Sequence, residues 1–296
     1  MESLPPDPPL DVPPEWNRID AGALRGTVLV IGAPDVGKTT FVHYLQRRLR
    51  ATGLPIAHLD GDPGQSSLGP PATMTAVLNG AAGSANQERT WRSFVGATTP
   101  VGHMLDFVVG GWRLVQAARQ AGAAAVLYDT CGLVDPEQGG LALKLAKIDL
   151  LRPAAVFAIQ RERELEPLLV PLRRSRRTQV VDLRPSIAVR RRARPARQAN
   201  RARRYAGYFA GAGELVVDWS RLAVFPLPRF SINRLIALED VGGFALNLGI
   251  ILGIDRQARQ LTLLAHPQNL RHVSALHVGD VEIDPGTFRD RATGHP

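Results

Sequence analysis

Over the first two thirds of the chain, short runs of apolar, often β-branched residues alternate with longer stretches whose apolar positions recur every three or four residues. The first pattern is that of a strand buried on both faces, the second that of a helix packed on one. Residues 27–31, 55–59, 91–95, 123–128, 154–159 and 180–183 are predicted strands, and residues 38–50, 104–120, 140–151 and 195–209 predicted helices. Residues 72–85 are small, glycine-rich and without a clear period. From about Leu215 the pattern becomes short strand-like runs divided by Gly, Pro and Asp, at 216–218, 222–225, 235–238, 245–254, 260–264 and 281–283. Alternating strands and helices predict an α/β fold with a doubly wound, mostly parallel sheet, and the tail predicts a small β-rich C-terminal domain. The expected division is an arm over 1–22, a main domain over 23–212 and the C-terminal domain over 213–296.

Composition adds limits. With 296 residues, 45% of them apolar, the chain has ample material for a folded core. The first fifteen residues hold six prolines and neither period, which predicts an extended arm outside the core. No apolar run approaches the roughly eighteen residues of a membrane span, and residues 1–15 lack the basic start and apolar centre of a secretory signal. A soluble, intracellular (cytoplasmic) protein is expected. The single cysteine, Cys131, rules out an internal disulfide and a Cys-based zinc site, and the seven histidines show no ligand spacing, so no structural metal is expected.

Charge is unevenly spread. Thirteen arginines and one acid, Asp182, fall between Arg173 and Arg204, about +12 in a chain whose net charge is +9, so the remainder is slightly acidic. Such a block points to a surface for phosphates or nucleic acid. Only Lys38, Lys144 and Lys147 are lysines among 36 basic residues, a bias that fits a GC-rich genome.

The most specific string is Gly32-Ala33-Pro34-Asp35-Val36-Gly37-Lys38-Thr39, followed by Thr40. A G-x-x-x-x-G-K-[ST] sequence between a strand and a helix is a phosphate cradle: its amides turn inward, Lys38 reaches the β- and γ-phosphates, and the Thr39 hydroxyl can ligate Mg²⁺. A second motif, Asp60-Gly61-Asp62-Pro63-Gly64-Gln65, lies at the end of a predicted strand, where open α/β sheets bind ligands. One acid there can hold the metal's surroundings while the other accepts a hydroxyl proton, and Gln65 can orient a water instead.

Asp35-Val36-Gly37-Lys38-Thr39-Thr40, Leu59-Asp60-Gly61-Asp62-Pro63-Gly64-Gln65, Phe94-Val95-Gly96-Ala97-Thr98-Thr99-Pro100 with Gly102-His103-Met104, and Asp129-Thr130-Cys131-Gly132 follow one another in order. Together they resemble the polynucleotide 5′-hydroxyl kinase family, which includes the RNA 5′-kinases of tRNA, messenger and ribosomal RNA processing. The resemblance implies ATP, with Mg²⁺, as phosphoryl donor and a nucleic acid, RNA or DNA, with a 5′-hydroxyl end as acceptor. It implies nucleotide contacts along Gly32, Pro34, Asp35, Val36, Gly37, Lys38, Thr39 and Thr40, with Asp62 as general base. Asp60 and Thr39 would lie at the metal, which Asp129, standing where the family has an asparagine, could share, and Gln65, Thr98, Thr99, His103, Thr130 and Gly132 at the acceptor. It also implies an arginine-rich helical lid over 184–209, whose Arg192, Arg197 and Arg201 would close over the phosphates.

The chain departs from the family twice. Leu133 stands where the family has a tryptophan, removing an aromatic platform worth about 1–3 kcal/mol per stacked base, and residues 1–25 are too short for the extra N-terminal domain of eukaryotic members. The rival reading is a P-loop GTPase or ATPase switch or maturation protein. Asp129-Thr130-Cys131-Gly132 fits a D-x-x-G switch, and Ala146-Lys147-Ile148-Asp149 is similar to a guanine-reading motif without its asparagine. A third reading is a nucleic-acid binder with a merely structural nucleotide site.

Overall fold

The computed structural model describes residues 12–80 and 88–293. Seven strands form the first sheet: β1 (Gly26–Gly32), β2 (Ile56–Gly61), β3 (Thr73–Asn79), β4 (Arg89–Phe94), β5 (Ala125–Thr130), β6 (Ala155–Ile159) and β7 (Gln179–Leu183). Their order is β4-β3-β2-β5-β1-β6-β7, parallel except where β3 and β4 add an antiparallel edge. The helices of this region are α1 (Pro14–Asn17), α2 (Lys38–Arg50), α3 (Met104–Gln120), α4 (Gly140–Leu151), α5 (Glu166–Ser175) and α6 (Arg194–Tyr208). Successive side chains of β1 enter opposite cores, as strand geometry requires. Leu29 and Ile31 pack with Phe107, Leu143 and Leu169 of α3, α4 and α5, whereas Val28 and Val30 pack with Phe41, Leu45 and Leu49 of α2.

The second sheet is built from β8 (Gly213–Asp218), β10 (Arg234–Glu239), β11 (Ala245–Asp255), β12 (Gln260–Ala265), β13 (Ala275–Ile283) and β14 (Asp290–Ala292), with β9 (Ala223–Phe225) paired to β13. The predicted β-rich C-terminal region is therefore present. One of its junctions with the first sheet is a contact of backbone on backbone. Asp280 N donates to Gly96 O at 2.7 Å, and a Cβ on Gly96 would stand 2.7 Å from Gly279 Cα. Only glycines allow that approach.

Three expectations change. Residues 12–22 are not an extended arm: Trp16 is 1% exposed, its ring 4.9 Å from that of Phe41 and 5.3 Å from that of Tyr44. The indole fills the outer side of α2, a burial that outweighs the irregular, proline-rich backbone. Residues 1–11 and 81–87 lie outside the described residues. The aperiodic segment contains β3, whose small residues pair with β2 and β4 on either side. Helix α5 and strand β14 were not predicted; α5 carries Pro171 inside it. Among the described residues no helix is long and apolar enough to cross a membrane.

His58 on β2 is buried, its ring 5.5 Å from that of His43, and its Nε2 has no partner among the described residues. Burial, with the nearby charges of His43 and Arg50, lowers its pKa from 6.5 to about 3. The folded chain thus holds this proton less tightly than the unfolded chain does. The contribution of neutral His58 to stability is full above about pH 6.5 and is lost as pH falls toward 3, at about 1.4 kcal/mol per pH unit. Urea midpoints at several pH values are expected to show this slope in the wild type and its loss in His58→Leu; parallel curves would assign the slope elsewhere.

Candidate active site

The phosphate cradle joins the end of β1 to the start of α2. Asp35 and Gly37 have φ of 52° and 93°, which turns the backbone into an open nest at the helix N-terminus. Lys38, 7% exposed as a residue, donates from Nζ to Ala33 O at 2.8 Å, so the ammonium is held along the loop. The Val36 side chain is buried in the α2 core, so it anchors the loop and leaves its backbone for the nest. Arg161, just beyond β6, donates to the carbonyls of Asp35 and Pro34 and adds a cation that the sequence reading missed.

Adjacent strands β2 and β5 place Asp60 opposite Asp129 at one sheet edge. Thr39 Oγ1 donates to Asp129 Oδ2 at 2.5 Å, while Asp129 Oδ1 is buried without a partner among the described residues. Burial pushes this carboxyl up to about 7; the Lys38 charge opposes that shift, and the charges of Asp60 and Asp62 reinforce it. An unpartnered carboxylate oxygen beside the P-loop threonine, in a field of several carboxylates, fits a hard divalent cation such as Mg²⁺. Thr39 and Asp129 are the residues that would hold it.

Asp60 does not belong to that set. Its Oδ1 accepts from Asp62 N at 3.1 Å, and its Oδ2 accepts from Ser67 N, from Ser67 Oγ at 3.0 Å and from Leu68 N at 3.0 Å. It is the internal brace of the 62–68 loop, and burial raises its pKa despite those bonds. The expectation of a catalytic or metal-binding Asp60 is therefore corrected to a positioning role. Asp62, which it positions, uses Oδ1 to accept from Gly64 N and Gln65 N, both at 3.1 Å. Thr98 O packs so closely on Gly64 that a Cβ there would lie 2.4 Å away, which brings the Thr98–Thr99 loop against the Asp62 loop.

The arginine segment meets the P-loop through one carboxylate. Asp35 Oδ2 accepts from Arg192 N at 3.0 Å and from Arg197 Nη2 at 2.6 Å, and Arg192 Nη1 donates to Gln65 at 3.4 Å. Burial pushes the Asp35 carboxyl up, but these bonds and charges outweigh it and hold the group below the usual carboxylate range. Arg201 is elsewhere: its Nε donates to the buried Asp290 of β14 at 2.8 Å. Tyr205 and Phe209 are buried in the core shared with the second sheet. Only the N-terminal half of the expected lid faces the cradle; its C-terminal half is fixed to the second sheet.

Three further acceptor expectations are corrected. Thr130 Oγ1 is engaged with Val30 O at 2.8 Å and is buried. Gly132 abuts the P-loop, because a Cβ there would stand 2.8 Å from Pro34 Cα. His103 bridges Asp106, at 3.6 Å, and Asp280 of β13, at 3.7 Å, and so ties α3 to the second sheet. Behind the site, buried Lys144 donates to Cys131 O at 2.9 Å, and burial lowers its pKa to about 8. Lys147, of the guanine-motif resemblance, is buried against the rings of Phe107 and Tyr128, and Asp149 lies 3.7 Å from Arg177. Neither is arranged to read a base. Leu133 packs against the core of the first sheet.

Residues 32–211 match the family described as mRNA cleavage and polyadenylation factor CLP1 P-loop. The chain is 34% identical over 145 residues to a polyribonucleotide 5′-hydroxyl-kinase of Pyrococcus horikoshii, a match covering 48% of this chain and 39% of that protein. It is 31% identical over 200 residues to a polyribonucleotide 5′-hydroxyl-kinase of Thermococcus kodakarensis, covering 67% of this chain and 55% of the relative. The matched stretch thus spans about two fifths to just over half of these relatives. Among solved structures, a wild-type Clp1p–Pcf11p complex aligns with a TM-score of 0.67 over 88% of this chain and 75% of that one, at 14% identity, a likeness of fold.

Gly132→Ala is expected to displace Pro34 and weaken ATP binding at least about tenfold, because the nest amides must keep their aim for charge-assisted bonds to form. Calorimetric titration with a non-hydrolysable ATP analogue, alongside circular dichroism to confirm folding, checks this. An unchanged affinity would show that the P-loop does not lean on Gly132.

Proposed function

The chain belongs to the CLP1 P-loop family, and on that premise we propose that it is an ATP-dependent polynucleotide 5′-hydroxyl kinase acting on RNA or DNA ends. The observation that carries the reading is the meeting of three elements around Asp35 and Asp129: the phosphate cradle, the Asp62 loop and the arginine segment. A pure nucleotide switch does not account for the basic segment closing on Gln65 of the second loop.

In this reading the cradle amides and Lys38 hold the β- and γ-phosphates. Mg²⁺, when bound, offsets charge on the phosphate oxygens. Asp62, with Oδ1 fixed by two amides, presents Oδ2 to the acceptor hydroxyl and takes its proton as the 5′-oxygen bonds to the γ-phosphorus. The bond from that phosphorus to the β,γ-bridging oxygen breaks in line, and ADP leaves. No covalent enzyme intermediate is involved. Arg197 and Arg161, held against the P-loop at Asp35, would stabilise charge on the transferring phosphoryl, and the 98–99 loop would confine the terminal nucleotide.

Incubation with γ-labelled ATP and matched 5′-hydroxyl RNA and DNA oligonucleotides tests the proposal. Label is expected on the oligonucleotide, with Asp62→Asn lowering kcat about 10²–10⁴-fold and Lys38→Ala abolishing transfer. Arg197→Ala is expected to lower kcat more than ATP affinity. Release of free phosphate with an unlabelled oligonucleotide would point to the switch reading, and full activity in Asp62→Asn would remove the assigned base.

A further inference from the structure

A cleft of about 420 Å³ lies between α6, β4 and the end of the Asp62 loop, lined by Leu68, Arg92, Asn200, Arg203, Arg204 and Tyr208 among others. Three guanidinium groups line it and no carboxylate does. Asn200, Arg203, Arg204 and Gly207 recur at i, i+3, i+4 and i+7 of α6 and so share one face, beside the face that carries Arg197 and Arg201. Those two arginines have carboxylate partners; Arg92, Arg203 and Arg204 make no ion pair with a described residue.

Their hydrogen bonding is also incomplete. Arg204 Nη1 donates to Ser67 O at 3.0 Å and Arg203 Nη1 to Asn200 Oδ1 at 3.4 Å, yet the Nε groups of Arg92 and Arg204 are buried with no partner among the described residues. Buried N–H donors without acceptors and like charges without counter-charge both disfavour the folded state, and a bound anion relieves both. Guanidinium forks match phosphate oxygens in shape and charge.

The position of the cleft identifies the anion. Ser67 and Leu68, whose amides Asp60 holds, close the loop that presents Asp62, and Leu68 also lines the cleft. A strand whose 5′ end lies at Asp62 can therefore run onward past Leu68. We propose that Arg92, Arg203 and Arg204 bind an internucleotide phosphate of the acceptor strand, on the 3′ side of the nucleotide being phosphorylated. The identity of the strand as acceptor rests on the kinase reading; the anion chemistry of the cleft does not. Such a contact reads backbone, so it raises affinity for long acceptors without base preference.

The test is fluorescence anisotropy of a labelled 5′-hydroxyl oligonucleotide about ten nucleotides long, at several salt concentrations, with phosphoryl transfer to the same strand measured in parallel. The double variant Arg92→Gln/Arg203→Glu is expected to raise Kd about tenfold or more and to reduce the slope of log affinity against log salt by about one for each phosphate no longer neutralised. Arg174→Glu, an exposed change of the same sign in the basic segment on α5, is the control and is expected to have little effect. Arg203→Gln alone, at an exposed position, gives the same comparison if the double variant does not fold. Unchanged binding in the cleft variants, or an equal loss in the control, overturns the proposal while wild-type transfer leaves the kinase reading standing. Weakened binding in the cleft variants with no wild-type transfer upholds the cleft as a backbone site and ends the kinase reading.

Discussion

The ladder between β2 and β5 sets Asp60 directly across from Asp129, and the site follows from how these two buried carboxylates are kept apart in role. Two like charges this near each other in a low-dielectric interior cannot both be left bare. Asp60 is satisfied by loop amides and the Ser67 hydroxyl, which converts it into scaffolding for Asp62. Asp129 keeps one oxygen for Thr39 and one without a partner, which makes it the member suited to a cation. One register thus separates a fully hydrogen-bonded acid from one with a bare oxygen and sets Asp62, the proposed base, two residues further on.

Asp35 plays a similar part at the other side of the cradle. A P-loop position that sequence patterns leave unspecified becomes the only carboxylate that engages both Arg192 and Arg197 among the described residues. Because α6 continues from there into the Arg201–Asp290 pair and the core around Tyr205, the cradle, the basic helix and the second sheet form one connected body. The Gly96–Gly279 approach adds a second junction beside the 98–99 loop.

What was legible in the sequence is what chemistry fixes locally. The P-loop has a reason at each fixed position, and the strand–helix alternation of the first sheet follows from runs whose period is unambiguous, so α3 and α4 fall where the pattern puts them. Roles that depend on distant partners were not legible. Thr130 resembles a ligand-facing residue until Val30 is seen beneath it, and Arg201 resembles a phosphate clamp until Asp290, far along the chain, is seen to hold it. Trp16 sits among prolines with no periodicity, and its burial depends on a groove that α2 creates only in the fold. One signal was overlooked: in a chain that uses arginine nearly everywhere, Lys38, Lys144 and Lys147 are all buried. A compact ammonium fits enclosed sites where a guanidinium fork does not, so each surviving lysine marks a packed cation.

The docking of Tyr205 and Phe209 into the C-terminal sheet makes that sheet the seat of the basic helix. The P-loop lies in the first sheet, yet the tail holds the C-terminal half of the basic helix through this core and the Arg201–Asp290 pair. Repacking within β10 or β11, or loss of Asp290 from β14, would therefore shift the seat from which α6 projects its arginines.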